Sequence, residues 1–411
     1  VLDQEAFRRG TSVYLPDRVM PMLPRALSNH ICSLNAGEDR LAMSCSMEIT
    51  PRGKIESYEI YPSVIRVGQR FSYDVVNQML LEEDAAALAQ YGPWLEMLQT
   101  LAKLQQILEK KRHRRGAIHF DLPETKIIMS ADNSKVVDVV KRQSRLAEKI
   151  IEECMIVTNE VVATEFHRRK IPFIYRVHQG PGEAKLSQFR EAAEPLGYTL
   201  TISKQGLKPK ALQQLLSEAE GKPESAFLQL LALRSMSHPF YSPEALGHFG
   251  LASRYYSHFT SPIRRYADLA IHRVIKDYLQ TAPSGAEKKK LAARMMESSQ
   301  QASQQERMAE EAEREAVQIK CCQFMQDKIG QTFTGVISGV ASYGVFVELP
   351  NSIEGRVALA DLPPDDYRYL VGQMMLKGSK HCYRLGDTVQ ITVAAVHLAE
   401  KEIDFHLVAE E

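Results

Sequence analysis

Residues His258–Arg273 read HFTSPIRRYADLAIHR. A Thr-Ser-Pro run ahead of an apolar-periodic segment is a helix start. Thr260 or Ser261 supplies the N-cap hydroxyl, and Pro262 takes the first helical position, where a missing N–H costs nothing. Ile263, Tyr266, Ala267, Ala270 and Val274 recur at helical spacing and mark a buried stripe. Arg264 then falls in the first turn, where free amides and the helix dipole favour an anion. A planar guanidinium there matches two phosphate oxygens at once. Helix chemistry alone leaves a second reading open, a surface Arg264 paired with Asp268 at i+4.

Working outward, the text keeps the texture of a folded enzyme or binding protein. Over 411 residues, 44% are apolar and 25% charged, which excludes a disordered, collagen-like or purely coiled-coil chain. That length predicts two or three domains. No apolar run approaches the roughly 20 residues of a membrane span. The opening VLDQEAFRRG has no apolar signal core, so a cytoplasmic protein is expected. Lys+Arg and Asp+Glu are both 51, which argues against coating nucleic acid by bulk charge and leaves room for a local basic channel. The six cysteines show no CxxC spacing and read as reduced thiols.

Upstream, Leu41–Glu59 alternates around Pro51-Arg52-Gly53 and predicts a hairpin. Residues 86–111 and 143–168 carry helical periodicity, and 171–178 and 196–207 read as short strands. Lys110, Lys111, Arg112, Arg114 and Arg115 form the densest basic run, either an entrance for a polyanion or a solvated helix end. Downstream, 286–328 has no Pro or Gly and predicts one or two long exposed helices. After Gly330 the text turns to short strands with mid-run glycines, in 331–349, Ser352–Leu359, Thr388–His397 and Glu402–Leu407, which predicts a small closed barrel. A domain boundary is placed near residue 329.

The barrel carries Phe333, Gly335, Ile337, Val340, Tyr343, Gly344, Phe346 and Val347 in a spacing that resembles the S1 RNA-binding domain, an OB fold. Phe333, Tyr343 and Phe346 are the rings placed to stack on unpaired bases, with core packing as the alternative for each. Val357-Ala358 stands where such domains often have Val-His. The HFTSPIRRYADLAIHR phrase, together with RRGTSVYLPDRVMPMLPRALSN at Arg8–Asn29, RGAIHFDLPE at Arg115–Glu124, IIEECMIVTNE at Ile150–Glu160 and PFIYRVH at Pro172–His178, resembles the RNB catalytic domain of the RNase II and RNase R exoribonucleases, RNase R more closely. The resemblance covers nearly the whole chain. It implies an α+β fold: an RNB domain over 1–328, incomplete at its N-terminus with a mixed sheet and helices, followed by an S1 barrel over 329–411.

The resemblance also implies processive 3′→5′ removal of 5′-mononucleotides from single-stranded RNA by a monomer with no obligatory protein partner. Arg264 would stabilise charge on the scissile phosphate, with Arg265 beside it on the RNA. Tyr14 and Phe120 would clamp the last bases, Tyr73 would touch the ribose near the 3′ end, and Glu152 would read the 2′-hydroxyl. On pattern alone, Phe120 sits on an alternating strand with Ile118 and Leu122, and Glu152 shares an edge with Glu148 beside Ile151, Met155 and Val162. The family's metal ions, Mg²⁺ by its chemistry, need a carboxylate cluster of D-x-D-D type. Asp3 does not match it and Asp365-Asp366 belongs to the barrel, so the metal residues within this chain are none and the ligands are expected upstream of residue 1. A fragment of a longer enzyme is the favoured explanation, ahead of an RNA-binding relic or a different mode of metal binding. The competing functions are therefore an exoribonuclease and a non-catalytic single-strand RNA binder, with a helical scaffold last.

Overall fold

The computed structural model describes residues 1–120, 124–203, 206–222, 224–370 and 374–408. The alternation around Pro51 produces a long antiparallel hairpin, Asp39–Ile49 with Ile55–Arg66. Gly53, at φ +75°, supplies the left-handed residue of its turn. The periodicity of 86–111 becomes two helices, Ala85–Tyr91 and Leu95–Arg115, because Pro93 sits in a 3₁₀ turn between them. Leu146–Arg168 is one helix that buries Ile150, Ile156, Val157, Val161, Val162 and Phe166. Ile151, expected on that apolar stripe, is 43% exposed; the stripe runs through its neighbour instead. Of the two short strands expected, Tyr175–Val177 forms and pairs with Phe240–Ser242. Over 196–207 the only β pairing among the described residues is a Ser203–Gly206 bridge.

The first part of the chain pairs its strands two by two, antiparallel, with isolated parallel bridges at Ala36–Val67 and His178–His248. Its main core gathers Phe166, Phe173, Ile174 and Val177 against Tyr266, Ile271 and Ile275. Phe166 and Phe173 stack at 4.8 Å.

Gly285–Gln326 is a single helix of 42 residues, roughly 60 Å long at 1.5 Å per residue. Ser284 and Glu287 form a capping box at its start. The expectation of a merely solvated helix is corrected. Leu291, Met295 and Ala302 pack into the main core near one end, and Cys321, Cys322 and Met325 pack under the barrel at the other. The sparse Leu, Met, Ala and Cys positions that look featureless in the sequence are where this helix touches both bodies.

Five strands close the barrel in the order Gly344–Glu348, Glu354–Ala358, Glu402–Leu407, Thr388–His397, Thr332–Ala341. Its interior is filled by Ile337, Val345, Val347, Val357, Ile391 and Phe405. A three-stranded sheet, Arg368–Leu370, Met375–Lys377 and Cys382–Arg384, stands beside it.

Candidate active site and nucleic-acid interface

The signature segment folds differently from its expected cap geometry. The helix runs Tyr266–Tyr278 with Arg265 at its N-cap and no side-chain cap. Ser261–Arg264 is a turn, closed by Arg264 N–H and Arg265 N–H to the Ser261 carbonyl at 3.2 and 3.1 Å. A carboxylate replaces the expected hydroxyl: Asp268, fully buried, accepts from Ser261 N–H at 2.7 Å. It also accepts from Arg265 Nε and Nη2, both at 2.8 Å. Arg265 is therefore turned inward, with its side chain 13% exposed, and the expectation that it faces RNA is corrected. Arg264 precedes the helix rather than lying in its first turn.

Arg264 is clamped from the other side as well. Its carbonyl accepts from Ser12 N–H at 2.9 Å and from the Thr11 hydroxyl at 3.1 Å, and Tyr266 N–H donates to the Gly10 carbonyl at 2.8 Å. The Arg264 side chain is exposed and has no hydrogen bond or ion pair among the described residues. A fixed backbone thus carries a free guanidinium. The same clamp holds the TSVYLP stretch, so Tyr14, 46% exposed, is tied to the Arg264 turn through its own strand. Tyr14 N–H also donates to Glu313 on the long helix at 2.6 Å.

Tyr73 opens the short helix Tyr73–Asn77, capped by Ser72, and is 43% exposed. Asn77 docks that helix on Leu146–Arg168: its Oδ1 accepts from Ala147 N–H at 3.0 Å and its Nδ2 donates to Glu148 at 3.2 Å. Glu152 lies one turn further along, with its side chain 41% exposed and 3.7 Å from Arg112. Phe120 is half-buried against the cluster of Phe189, Leu212 and Leu228, and 117–120 is not a strand. Asp121 and Leu122 lie outside the described residues.

Sequence reasoning missed the residue that joins these groups. Asn159, on the Glu152 helix, accepts from Phe259 N–H at 2.9 Å and donates to the Tyr256 hydroxyl at 3.1 Å. The signal was available: a polar residue on the otherwise apolar face of that helix. Beyond it lies a buried polar cluster. Tyr241 hydroxyl meets His258 Nδ1 at 2.9 Å, Arg176 covers the Tyr241 ring at 4.7 Å, and Arg176 pairs with Glu306. Burial pushes the His258 and His248 imidazoles below their usual range, His248 to about 3. Burial also pushes the Glu306 carboxyl up, against the pull of Arg176.

In the barrel, Tyr343 is 58% exposed and Phe346 half-buried, and their rings meet edge to face at 6.2 Å. Phe346 lies over Gly339, where a Cβ would stand 3.2 Å from the ring. Phe333 packs against the barrel core, which was the alternative reading of that ring.

No group of three or more His, Cys, Asp or Glu able to hold a metal occurs among the described residues. Asp3 accepts from Tyr266 hydroxyl at 3.0 Å and pairs with Arg273. Asp365 accepts from the N–H groups of Ser379, Lys380 and His381. Both carboxylates are thus engaged within the fold, and the described residues do not fit a resident divalent ion.

Comparison with known proteins matches residues 1–281 to the RNB domain and residues 326–407 to the S1 RNA binding domain. The chain is 40% identical over 412 residues to Ribonuclease R 1 of Lactococcus lactis, all of this chain and 50% of that protein. It is 41% identical over 419 residues to Ribonuclease R of Thermotoga maritima, all of this chain and 58% of that protein. The chain spans about half the length of the curated relatives it matches. Mycoplasma genitalium RNase R in complex with ribose methylated single-stranded RNA superposes with a TM-score of 0.89 at 30% identity, over 99% of this chain and 64% of that one.

Proposed function

We propose that this chain, which belongs to the RNB family, serves a 3′→5′ exoribonuclease that degrades single-stranded RNA processively to 5′-mononucleotides. The observation that carries the reading is Arg264: an unpaired guanidinium on a backbone fixed by Asp268, Thr11 and Ser12, joined to the strand of Tyr14. Such a group stabilises charge that develops on a phosphate without reorganising at the moment of reaction. Tyr14 and Phe120 are proposed to hold the terminal bases by stacking, Tyr73 to contact the ribose, and Glu152 to accept from the 2′-hydroxyl. Tyr343 and Phe346 are proposed to stack on the strand farther from its 3′ end.

The domain division proposed is an RNB unit over 1–328 and an S1 unit over 329–411. The family's divalent-metal dependence is proposed to be met by Mg²⁺. The protein is proposed to act as a cytoplasmic monomer on the 3′ end of RNA. Among the described residues no helix is long and apolar enough to cross a membrane.

Time courses of a 5′-labelled RNA with Mg²⁺ and with a chelator test the reading in the protein that carries this sequence. Shortening from the 3′ end with release of mononucleotides is the expected result. Retained RNA binding with no shortening would favour the second reading, a non-catalytic single-strand binder, which the lack of an acidic cluster among the described residues supports.

A further inference from the structure

The basic run at the end of the Leu95–Arg115 helix divides once it is placed. Arg112 is buried and committed to Glu153 at 2.6 Å. Lys111 donates to the Gly53 carbonyl at 2.6 Å, and Arg115 donates to the Leu251 carbonyl at 3.0 Å and pairs with Glu160. Lys110 and Arg114 are exposed and have no ion pair or side-chain hydrogen bond among the described residues. Arg52, exposed in the hairpin turn, is in the same condition. All three face one cleft of about 720 Å³, together with His113 and His119.

The cleft is built rather than incidental. Gly53 is pressed so closely on the helix that a Cβ there would stand 3.2 Å from Ile107. With the Lys111 bond to the Gly53 carbonyl, this fixes the turn that presents Arg52. Of the nearby acids, Glu153 is neutralised by Arg112, while Glu109 accepts from the neutral Gln105 Nε2 at 3.0 Å and keeps its charge. The three free cations outnumber the one carboxylate that lines the cleft, Glu109, so the concave surface keeps a positive excess that an anion would relieve. Two of them are arginines, whose forks match phosphate oxygens. The contact of Arg112 with Glu152 at 3.7 Å ties the cleft to the carboxylate proposed to read the sugar.

We propose that this cleft binds the phosphodiester backbone of single-stranded RNA, as an anchoring site separate from Arg264. The proposal rests on the RNA-binding reading above. A free mononucleotide offers one phosphate, whereas cations spread over a hairpin turn and a helix end fit a run of them.

The test is anisotropy with a labelled single-stranded oligonucleotide, titrated over a range of salt, for the unaltered chain and for Arg52→Ala/Lys110→Ala/Arg114→Ala. All three residues are exposed, and an unchanged melting curve verifies folding. Single-strand binding loses about 0.7 in the log–log salt slope per phosphate contact. The triple variant should therefore lower the slope by about 2 and weaken binding on the order of tenfold or more near 0.1 M salt. Arg264→Ala should move the slope by no more than about 0.7. Unchanged affinity and slope in the triple variant would overturn the cleft proposal while leaving the exonuclease reading intact. Absence of nucleotide release by the protein that carries this sequence, with the triple variant still losing affinity, would overturn the exonuclease reading and support the cleft. Binding of 5′-AMP as tight as that of the oligonucleotide, lost in the triple variant, would overturn the strand as ligand.

Discussion

Asp268 and Arg264 divide the work of the signature turn between structure and chemistry. Asp268 has no solvent exposure and balances Arg265 while fixing Ser261. Removing its charge leaves Arg265 buried and uncompensated, so Asp268→Asn should cost about 3–5 kcal/mol of stability. Denaturant unfolding measures this, and a change under 1 kcal/mol would refute the clamp. Arg264 contributes almost nothing to the fold, so Arg264→Ala should leave the melting curve within about 0.5 kcal/mol of the original. In the protein that hydrolyses RNA it should lower kcat by about 10²–10³ and affect RNA affinity far less. Equal losses in kcat and affinity would mean that Arg264 only holds substrate. The sequence made Arg264 visible through its neighbours Thr, Ser and Pro, yet it misassigned the cap. Hydroxyl caps are the commoner solution, and nothing local in the text says that a carboxylate four residues past Arg264 will reach back instead.

At the scale of elements, what was legible follows from how local each signal is. The barrel strands Thr388–His397 and Glu402–Leu407 have the bounds read from alternation, and the hairpin around Pro51 forms where Leu41–Glu59 was read but runs on to Asp39 and Arg66, because alternation and turn chemistry are short-range signals that mark a turn better than the ends of long strands. The long helix was legible as a helix but not as a spine, since its buried positions are small or adaptable residues whose partners lie far away in sequence. The Arg112–Glu153 pair was hidden for the same reason: Arg112 stands in a run of cations that otherwise face solvent. Truncating Arg112 alone should cost about 3–5 kcal/mol, because burial already pushes the Glu153 carboxyl up and would leave it unpaired. The double change Arg112→Met/Glu153→Leu should recover most of that loss, and additive costs in the cycle would exclude a coupled pair. In the barrel, Gly355 has no room for a side chain: a Cβ there would stand 2.4 Å from the fully buried Phe405 ring. Gly355→Ala should therefore destabilise the protein by about 1–3 kcal/mol through overpacking. A melting temperature unchanged by that substitution would mean the ring can yield.

At the scale of the whole molecule, a chain of contacts from Ile118 to His258 runs over histidines whose charged form burial disfavours. Ile118 N–H donates to the Gly250 carbonyl, Gly250 N–H donates to His178 Nδ1 at 3.1 Å, the His178 ring lies 5.0 Å from that of His248, and His248 lies 5.2 Å from Tyr256, beside His258. Burial lowers the affinity of His178, His248 and His258 for a proton, and of His272 behind them. In the unfolded chain each would titrate near 6.5. The unfolded state thus binds more protons below that pH, and the stability these residues contribute is complete above 6.5 and lost as pH falls. The loss is about 1.4 kcal/mol per pH unit for each histidine until its folded-state value is reached, about 3 for His248. Glu153 and Glu306, whose carboxyls burial pushes up, act with the opposite sign, as they take up protons more readily folded than unfolded. His248→Asn separates the contributions, because an amide oxygen can keep the acceptor for Leu251 N–H, which now bonds Nδ1 at 3.2 Å, while removing the titration. Unfolding free energies at pH 7.0 and 5.5 should show the unaltered protein losing about 1 kcal/mol more than the variant between the two. Equal losses would mean that His248 takes up its proton in the folded state as readily as in the unfolded one, and that the neutral ring beside Tyr256 is not a feature of the fold.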